Sequence, residues 1–230
     1  MSALEPGSFL ADLTPDEREN LWSRGRVRDF ARGDTLFVEG EEPGWVAVLL
    51  KGRVKAFTHH EQGGETLLAV RGPGALLGEV AAIDGQPRSA SVAALEQVRV
   101  LAVTAEEFMA FLQANGRVSI IIMQMLCQRW READRRRAEF GMFDATGRVA
   151  QRLVELAERF GVPYRTGPGP GSESVRITLS LSQEELAGWV GASREAVSKA
   201  LRTLRAHGWI ETGRRRLIVH DLQALRRHAR

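Results

Sequence analysis

The chain has one cysteine, Cys127, and one tyrosine among its 230 residues. A single thiol excludes an internal disulfide framework and any all-cysteine metal or iron–sulfur site within one chain. No apolar run approaches the roughly 20 residues that span a bilayer, so no membrane partner is expected. The first residues lack the basic start and apolar centre of a secretory leader, and a cytoplasmic location is the expectation. Equally absent are a nucleophile–base pairing, metal-ligand spacing and a glycine-rich phosphate loop followed by Lys-Ser/Thr, so the chain reads as a binding protein and not an enzyme. What is present is globular material, 43% hydrophobic and 27% charged, enough for one large or two ordinary domains.

Charge is unevenly placed. From Met142 onward there are 15 Lys and Arg against 9 Asp and Glu; the totals of 32 and 29 leave 17 against 20 for residues 1–141. A basic C-terminal part joined to an acidic remainder is the electrostatic footprint of a nucleic-acid-binding domain attached to something else.

Residues 9–30 read as one or two short helices, opened by Thr14-Pro15-Asp16-Glu17 with a cap, a first-turn proline and early acids. Then short runs rich in valine, leucine and phenylalanine recur between glycine turns: Thr35–Glu39, Trp45–Lys51, Arg53–Thr58, Glu65–Arg71, Ser89–Ala93 and Val98–Val103. That spacing predicts an antiparallel barrel or jelly roll. Thr104–Asn115 reads as a short helix with a Thr104/Glu107 capping box. A longer helix follows over Arg117–Phe140, with Ile122, Leu126, Arg129, Ala133, Arg136 and Phe140 at coiled-coil spacing, which predicts a homodimer seam.

Past Gly141 the basic part begins. Asp144–Gly147 is the expected flexible joint, Arg148–Phe160 an amphipathic helix, Gly161–Ser174 a loop and Val175–Leu179 a strand. Ser180–Lys199 then reads as two helices around a turn at Gly191, the helix-turn-helix pattern. Its second helix enters the DNA major groove with its first turns at base edges. Ser193 is the cap, and Arg194, Glu195 and Lys199 share a face. Arginine can grip guanine O6 and N7, and glutamate can accept from cytosine N4. A closing hairpin over residues 209–219 carries Arg214, Arg215 and Arg216 at its tip, a phosphate-contacting wing. The fold class is thus α+β: an N-terminal jelly-roll sensor (1–115), a long dimerisation helix (116–141) and a winged helix-turn-helix domain (142–230).

A second constellation is Gly78-Glu79-Val80 followed by Pro87-Arg88-Ser89-Ala90, flanking a helix-like insert at Ala81–Asp84. Free helix amides with one arginine and one serine hydroxyl make a cradle for a singly charged phosphate, and Glu79 can accept from a ribose hydroxyl.

With Gly78-Glu79, Arg88-Ser89-Ala90, the run Asp144–Ala150 and Val190-Gly191-Ala192-Ser193-Arg194-Glu195 in view, the chain resembles the cyclic-AMP receptor protein / fumarate-nitrate regulator family of bacterial transcription factors over nearly its whole length. The resemblance implies a cyclic nucleotide held at Gly78, Glu79, Val80, Arg88, Ser89 and Ala90, a homodimer on a palindromic double-stranded operator, and RNA polymerase as a further partner. It assigns DNA reading to Arg194, Glu195 and Lys199. Two departures stand out. Where family members that bind cyclic AMP meet the adenine with a Thr-Ser pair, this chain has Ala133 and Asp134, and an ionised aspartate only accepts. Cyclic AMP is the favoured effector, with cyclic GMP or a guanine cyclic dinucleotide, or constitutive DNA binding with a vestigial pocket, as alternatives. Lys199 stands where the cyclic-AMP-binding members of the family have arginine. The clustered cysteines of the oxygen-sensing members are missing. For haem, His59-His60 reads as an exposed hairpin tip and Cys127 as a packed small residue, so neither metal nor haem is expected.

Overall fold

Alternation along two neighbouring strands sorts the N-terminal apolar residues into two cores. β3 (Trp45–Lys51) and β8 (Val98–Thr104) pair antiparallel, with Val46 opposite Val103, Val48 opposite Leu101 and Leu49 opposite Val100. Successive strand residues face opposite sides of a sheet. Val46, Val48, Leu101 and Val103 therefore enter one core, while Leu49, Ala47, Val98 and Val100 enter the other. The computed structural model that gives this picture describes residues 4, 7–59, 64–165, 173–179, 181–213 and 216–229.

The first sheet has the order β1-β8-β3-β6, with β1 at Gly25–Phe30 and β6 at Leu76–Leu77. The second is β2-β7-β4-β5, formed by Thr35–Phe37, Ser91–Ala94, Val54–His59 and Glu65–Arg71. Leu36, Phe37, Val54, Val92 and Ala94 of the second sheet meet Ala47, Leu49, Leu77, Val98 and Val100 of the first, which makes the antiparallel sandwich. The outer core is closed by helices α1 (Phe9–Asp12), α2 (Pro15–Ser23), α4 (Ala105–Ala114) and the first part of α5 (Gly116–Met142), through Phe9, Leu21, Phe108, Phe111, Val118 and Ile122. Between β6 and β7 sits the short helix α3 (Glu79–Asp84).

Three expectations change here. Residues 25–30 are strand, not helix: β1 is a sheet edge whose Arg26, Val27, Arg28 and Asp29 are all exposed, so the burial alternation that marks a half-buried strand is missing. Thr104 caps α4 by accepting from Glu107 N at 3.2 Å, whereas reciprocal capping boxes form at Thr14/Glu17 and Ser182/Glu185. The third change is on α5, at Cys127. Ile122 and Leu126 pack into the protein's own core and Arg129 bonds within the same unit. The large apolar side chains left exposed on α5, among the described residues, are Ile120, Met123, Trp130 and Met142, and Cys127 is exposed and not packed away. Helix periodicity makes both sets look like a stripe, and only the position of the barrel decides which one is covered.

The chain divides into two compact units, and the boundary falls inside α5 between Glu132 and Ala133. The second unit contains α6 (Ala145–Phe160), α7 (Gln183–Val190), α8 (Arg194–Ala206), α9 (Leu222–His228) and an antiparallel sheet β11-β12-β10-β9, at Ile210–Gly213, Arg216–Val219, Glu173–Ile177 and Gly161–Arg165. Its buried residues include Val149, Leu153 and Leu156 of α6, Leu186 and Val190 of α7, and Val197, Leu201 and Leu204 of α8. The expected loop at Gly161–Ser174 is strand at both ends, since residues 161–165 and 173–174 belong to β9 and β10, which pair antiparallel; residues 166–172 lie outside the described residues.

Candidate effector pocket and DNA-reading surface

Gly78 sets the geometry of the first site. Its φ of 79° is left-handed, and a Cβ there would lie 2.6 Å from Arg88 Nη1 and 3.1 Å from the Phe37 ring. Glycine alone satisfies both conditions. The turn delivers Glu79 at the start of α3, where it is 1% exposed, and brings Arg88, 5% exposed, against it. Arg88 Nη1 donates to Gly78 O at 2.8 Å and Nη2 donates to Trp45 O, while its guanidinium lies 4.2 Å from the Phe37 ring centroid. Phe37 in turn tilts against Trp45 at 4.5 Å. The main chain fixes the arginine too, through Arg88 N to Glu41 O at 2.8 Å and Gly40 N to Arg88 O at 2.9 Å. Burial pushes the Arg88 guanidinium below its ordinary value, against the opposing pull of Glu41 and Glu79.

Glu79 is answered by a residue that the sequence reading placed on the dimer seam. Arg129 of α5 donates Nη1 to its carboxylate and Nη2 to Leu76 O at 2.9 Å. Phe37, Trp45 and Arg129 are the site residues that motif reading missed. The only available signal was one arginine within the mostly apolar first part of a helix.

The remaining candidates of this site are placed less centrally. Val80, Ser89, Ala133 and Asp134 are exposed, and Ala90 is half-buried. The buried hydroxyl belongs to Ser91, which accepts from Glu39 N at 3.0 Å. Ala133 and Asp134 belong to the second unit.

The second site lies on α8. Gly191, with φ 59°, ends α7 in the left-handed conformation, and Ser193 Oγ accepts from Ala196 N at 3.2 Å to start α8. Arg194, Glu195 and Lys199 are exposed while Val197, Ala200, Leu201 and Leu204 are buried, so the polar face is fully presented. Arg202 extends the line of Glu195 and Lys199 by one more turn and was not singled out from sequence. The backbone N–H of Glu195 itself, the Ser193 hydroxyl and the Arg194 charge hold the Glu195 carboxyl below the usual carboxylate range. In the wing, Arg216 donates to Glu211 across the β11–β12 pair, and that contact raises the Arg216 guanidinium. Arg214 and Arg215 lie outside the described residues. Among the described residues no group of three or more His, Cys, Asp and Glu is placed to hold a metal ion, and no single helix is long and apolar enough to cross a membrane.

Comparison with known proteins matches this architecture at both ends. Residues 27–115 match the cyclic nucleotide-binding domain and residues 147–228 the Crp-like helix-turn-helix domain. The chain is 34% identical over 202 residues to a Mycobacterium tuberculosis protein named CRP-like cAMP-activated global transcriptional regulator, covering 88% of this chain and 87% of that one. The chain belongs to the CRP/FNR family of transcription regulators. It is also 31% identical to the cyclic AMP receptor protein of Thermus thermophilus, over 87% of each chain. A solved structure of a CRP-family transcriptional regulator from Thermus thermophilus superposes with a TM-score of 0.72 at 27% identity, covering 88% of this chain and 96% of that one. As a CRP/FNR regulator, the protein combines a cyclic nucleotide-binding domain with a DNA-binding helix-turn-helix. The expected α+β class, with barrel, long helix and winged domain, is what it has.

Proposed function

We propose that this CRP/FNR regulator binds DNA as a homodimer and that a cyclic nucleotide at Glu79 and Arg88 sets its affinity. The observation that carries the reading is the nearly complete burial of two opposite charges at one glycine turn. Ionised side chains are almost never buried this far without a purpose that offsets desolvation. Two of the five Arg88 N–H donors go to carbonyls among the described residues, and the others suit the anionic oxygens of a cyclic phosphate. With Arg129 neutralising Glu79, the set Glu79, Arg88 and Arg129 has a formal charge of +1, matched to a singly charged phosphodiester. Ser89 supplies a hydroxyl, Gly78, Val80 and Ala90 shape the wall, and Glu79 accepts from the ribose. The Mycobacterium and Thermus relatives carry cAMP in their names, which favours cyclic AMP.

A guanine nucleotide is the second reading, because Asp134 is exposed and forms no ion pair among the described residues. Its carboxylate is an acceptor suited to guanine N1 and N2 donors. Ile120, Met123, Cys127 and Trp130 form the surface on which a second copy packs. Two α8 helices then read half-sites about one DNA turn apart, with Arg214, Arg215 and Arg216 on phosphates. RNA polymerase is the remaining expected partner, and the cytoplasm the expected location.

The test is calorimetric titration with cyclic AMP, cyclic GMP and a cyclic dinucleotide, paired with operator binding by Arg88→Ala and Arg194→Ala. Arg88→Ala should abolish stimulation by nucleotide, and Arg194→Ala should abolish operator binding outright. Operator affinity unchanged in Arg88→Ala at every nucleotide concentration would overturn the gating.

A further inference from the structure

The joint between α5 and α6 is two residues long, Phe143 and Asp144. The sequence marks it as the place to bend, yet the second unit spans it with an ionic network centred on one buried arginine. Arg152 of α6, with its side chain 6% exposed, donates one Nη to the Glu139 carboxylate of α5 and the other to Glu155 of α6. The second Glu139 oxygen, Oε1, accepts from Gln151 Nε2 at 2.9 Å. The second Glu155 oxygen, Oε1, lies 3.6 Å from Arg136 Nη2, back on α5. Two residues of α5, Arg136 and Glu139, are thus interleaved with Gln151, Arg152 and Glu155 of α6. Arg148 adds a further tie by donating Nη1 to Phe143 O at 2.7 Å and Nε to Val190 O at 2.8 Å, the last residue of α7.

We propose that this network fuses the last turns of α5 to the DNA-reading domain as one rigid body, with Arg152 the positioning residue, so that rearrangement is taken up N-terminal to Arg136 and not at Asp144–Gly147. The physical reason is that a buried charge cannot lose one partner cheaply. Bending at Phe143 would pull Glu139 away from both Arg152 and Gln151 and leave the buried Arg152 guanidinium with Glu155 as its one remaining carboxylate of the two. The planar guanidinium bridges two carboxylates on different helices, which a single ammonium point charge does less well. Asp144 reinforces the arrangement as the α6 cap, accepting from Gly147 N at 2.8 Å. The lock concerns a single unit of the protein and holds whether or not a nucleotide gates DNA binding.

Hydrogen exchange on the full-length protein tests it, read at the amides of residues 141–147. Arg152→Gln and Glu139→Gln should each speed exchange there by about tenfold or more. The double variant should be no faster than the worse single, because the two residues act as one unit, and Arg152→Lys should fall between wild type and Arg152→Gln. Saturating cyclic AMP should leave wild-type exchange in this segment unchanged. Unchanged exchange in both single variants, additive effects in the double, or wild-type exchange raised by nucleotide to the Arg152→Gln rate would each overturn the proposal. If Arg152→Gln does not fold, Glu139→Gln and Arg152→Lys carry the same comparison. Operator binding of the wild type with and without nucleotide, measured in parallel, separates a failure of the gating from a failure of the lock.

Discussion

Glu79 is bonded to Arg129 on the long helix and not to Arg88 of its own loop region. The sensor's buried acid therefore reports on the helix, while its buried base is tied to main-chain carbonyls. Arg129→Met leaves the Glu79 carboxylate buried without a counter-charge and should lower the stability of the protein by about 3 kcal/mol. Glu79→Gln combined with Arg129→Met should recover much of that loss. Urea denaturation of the single and double variants measures both, and equal losses in the two backgrounds would show that the pair is not coupled.

Gly78→Ala meets two obstacles, the left-handed φ and the Arg88 guanidinium 2.6 Å from the new Cβ. The backbone term alone costs roughly 1–2 kcal/mol. Because Arg88 must move to admit the methyl group, nucleotide affinity should fall more than stability does. Thermal melting and calorimetric titration of the same variant give the two numbers.

Trp130 is 72% exposed. Trp130→Asp should therefore change the stability of the isolated protomer by no more than about 0.5 kcal/mol while converting dimers to monomers in sedimentation equilibrium. The same substitution at Ile122, which faces the core, should unfold the barrel instead. That contrast distinguishes the exposed stripe from the buried one.

Trp45–Lys51 and Glu65–Arg71 could be bounded from sequence to the residue, because each is a largely apolar run set between two glycines, Gly44 and Gly52 for the first and Gly64 and Gly72 for the second. β1 was invisible, since its exposed charged residues carry no pattern. The exposed polar face of α8 was legible because a cap, a left-handed glycine and helix periodicity are all local features. The partners of Glu79 and Arg88 were not, because Arg129 and Trp45 reach the loop only through the folding of distant segments, separated by 50 and 43 residues.

Glu195 is held ionised at the start of α8. A folded-state value depressed below 4.5 means that the favourable contribution is complete above the unfolded value and is lost only as pH falls through the folded one. Base preference opposite Glu195 should thus be constant between about pH 6 and 8. Glu195→Gln should relax discrimination at that base pair by about 1–3 kcal/mol. Competition binding with single-base operator variants at each pH measures both effects.

Arg202 lies one turn beyond Lys199 on the exposed face and should touch phosphate. Arg202→Ala should weaken binding to every DNA sequence by a similar factor and reduce the slope of log affinity against log salt by about one. A change confined to one operator position would instead make Arg202 a base reader.

The strands β3 and β8 each belong to both N-terminal cores, with alternate residues committed to opposite sides. Neither layer can therefore melt or shift without the other, and unfolding of the sensor should appear as a single cooperative transition. A sheet shared in this way has no slack. A displacement imposed at Phe37 on the sandwich side passes within one strand to the residues that grip the helices, so the barrel behaves as a lever and not a cushion.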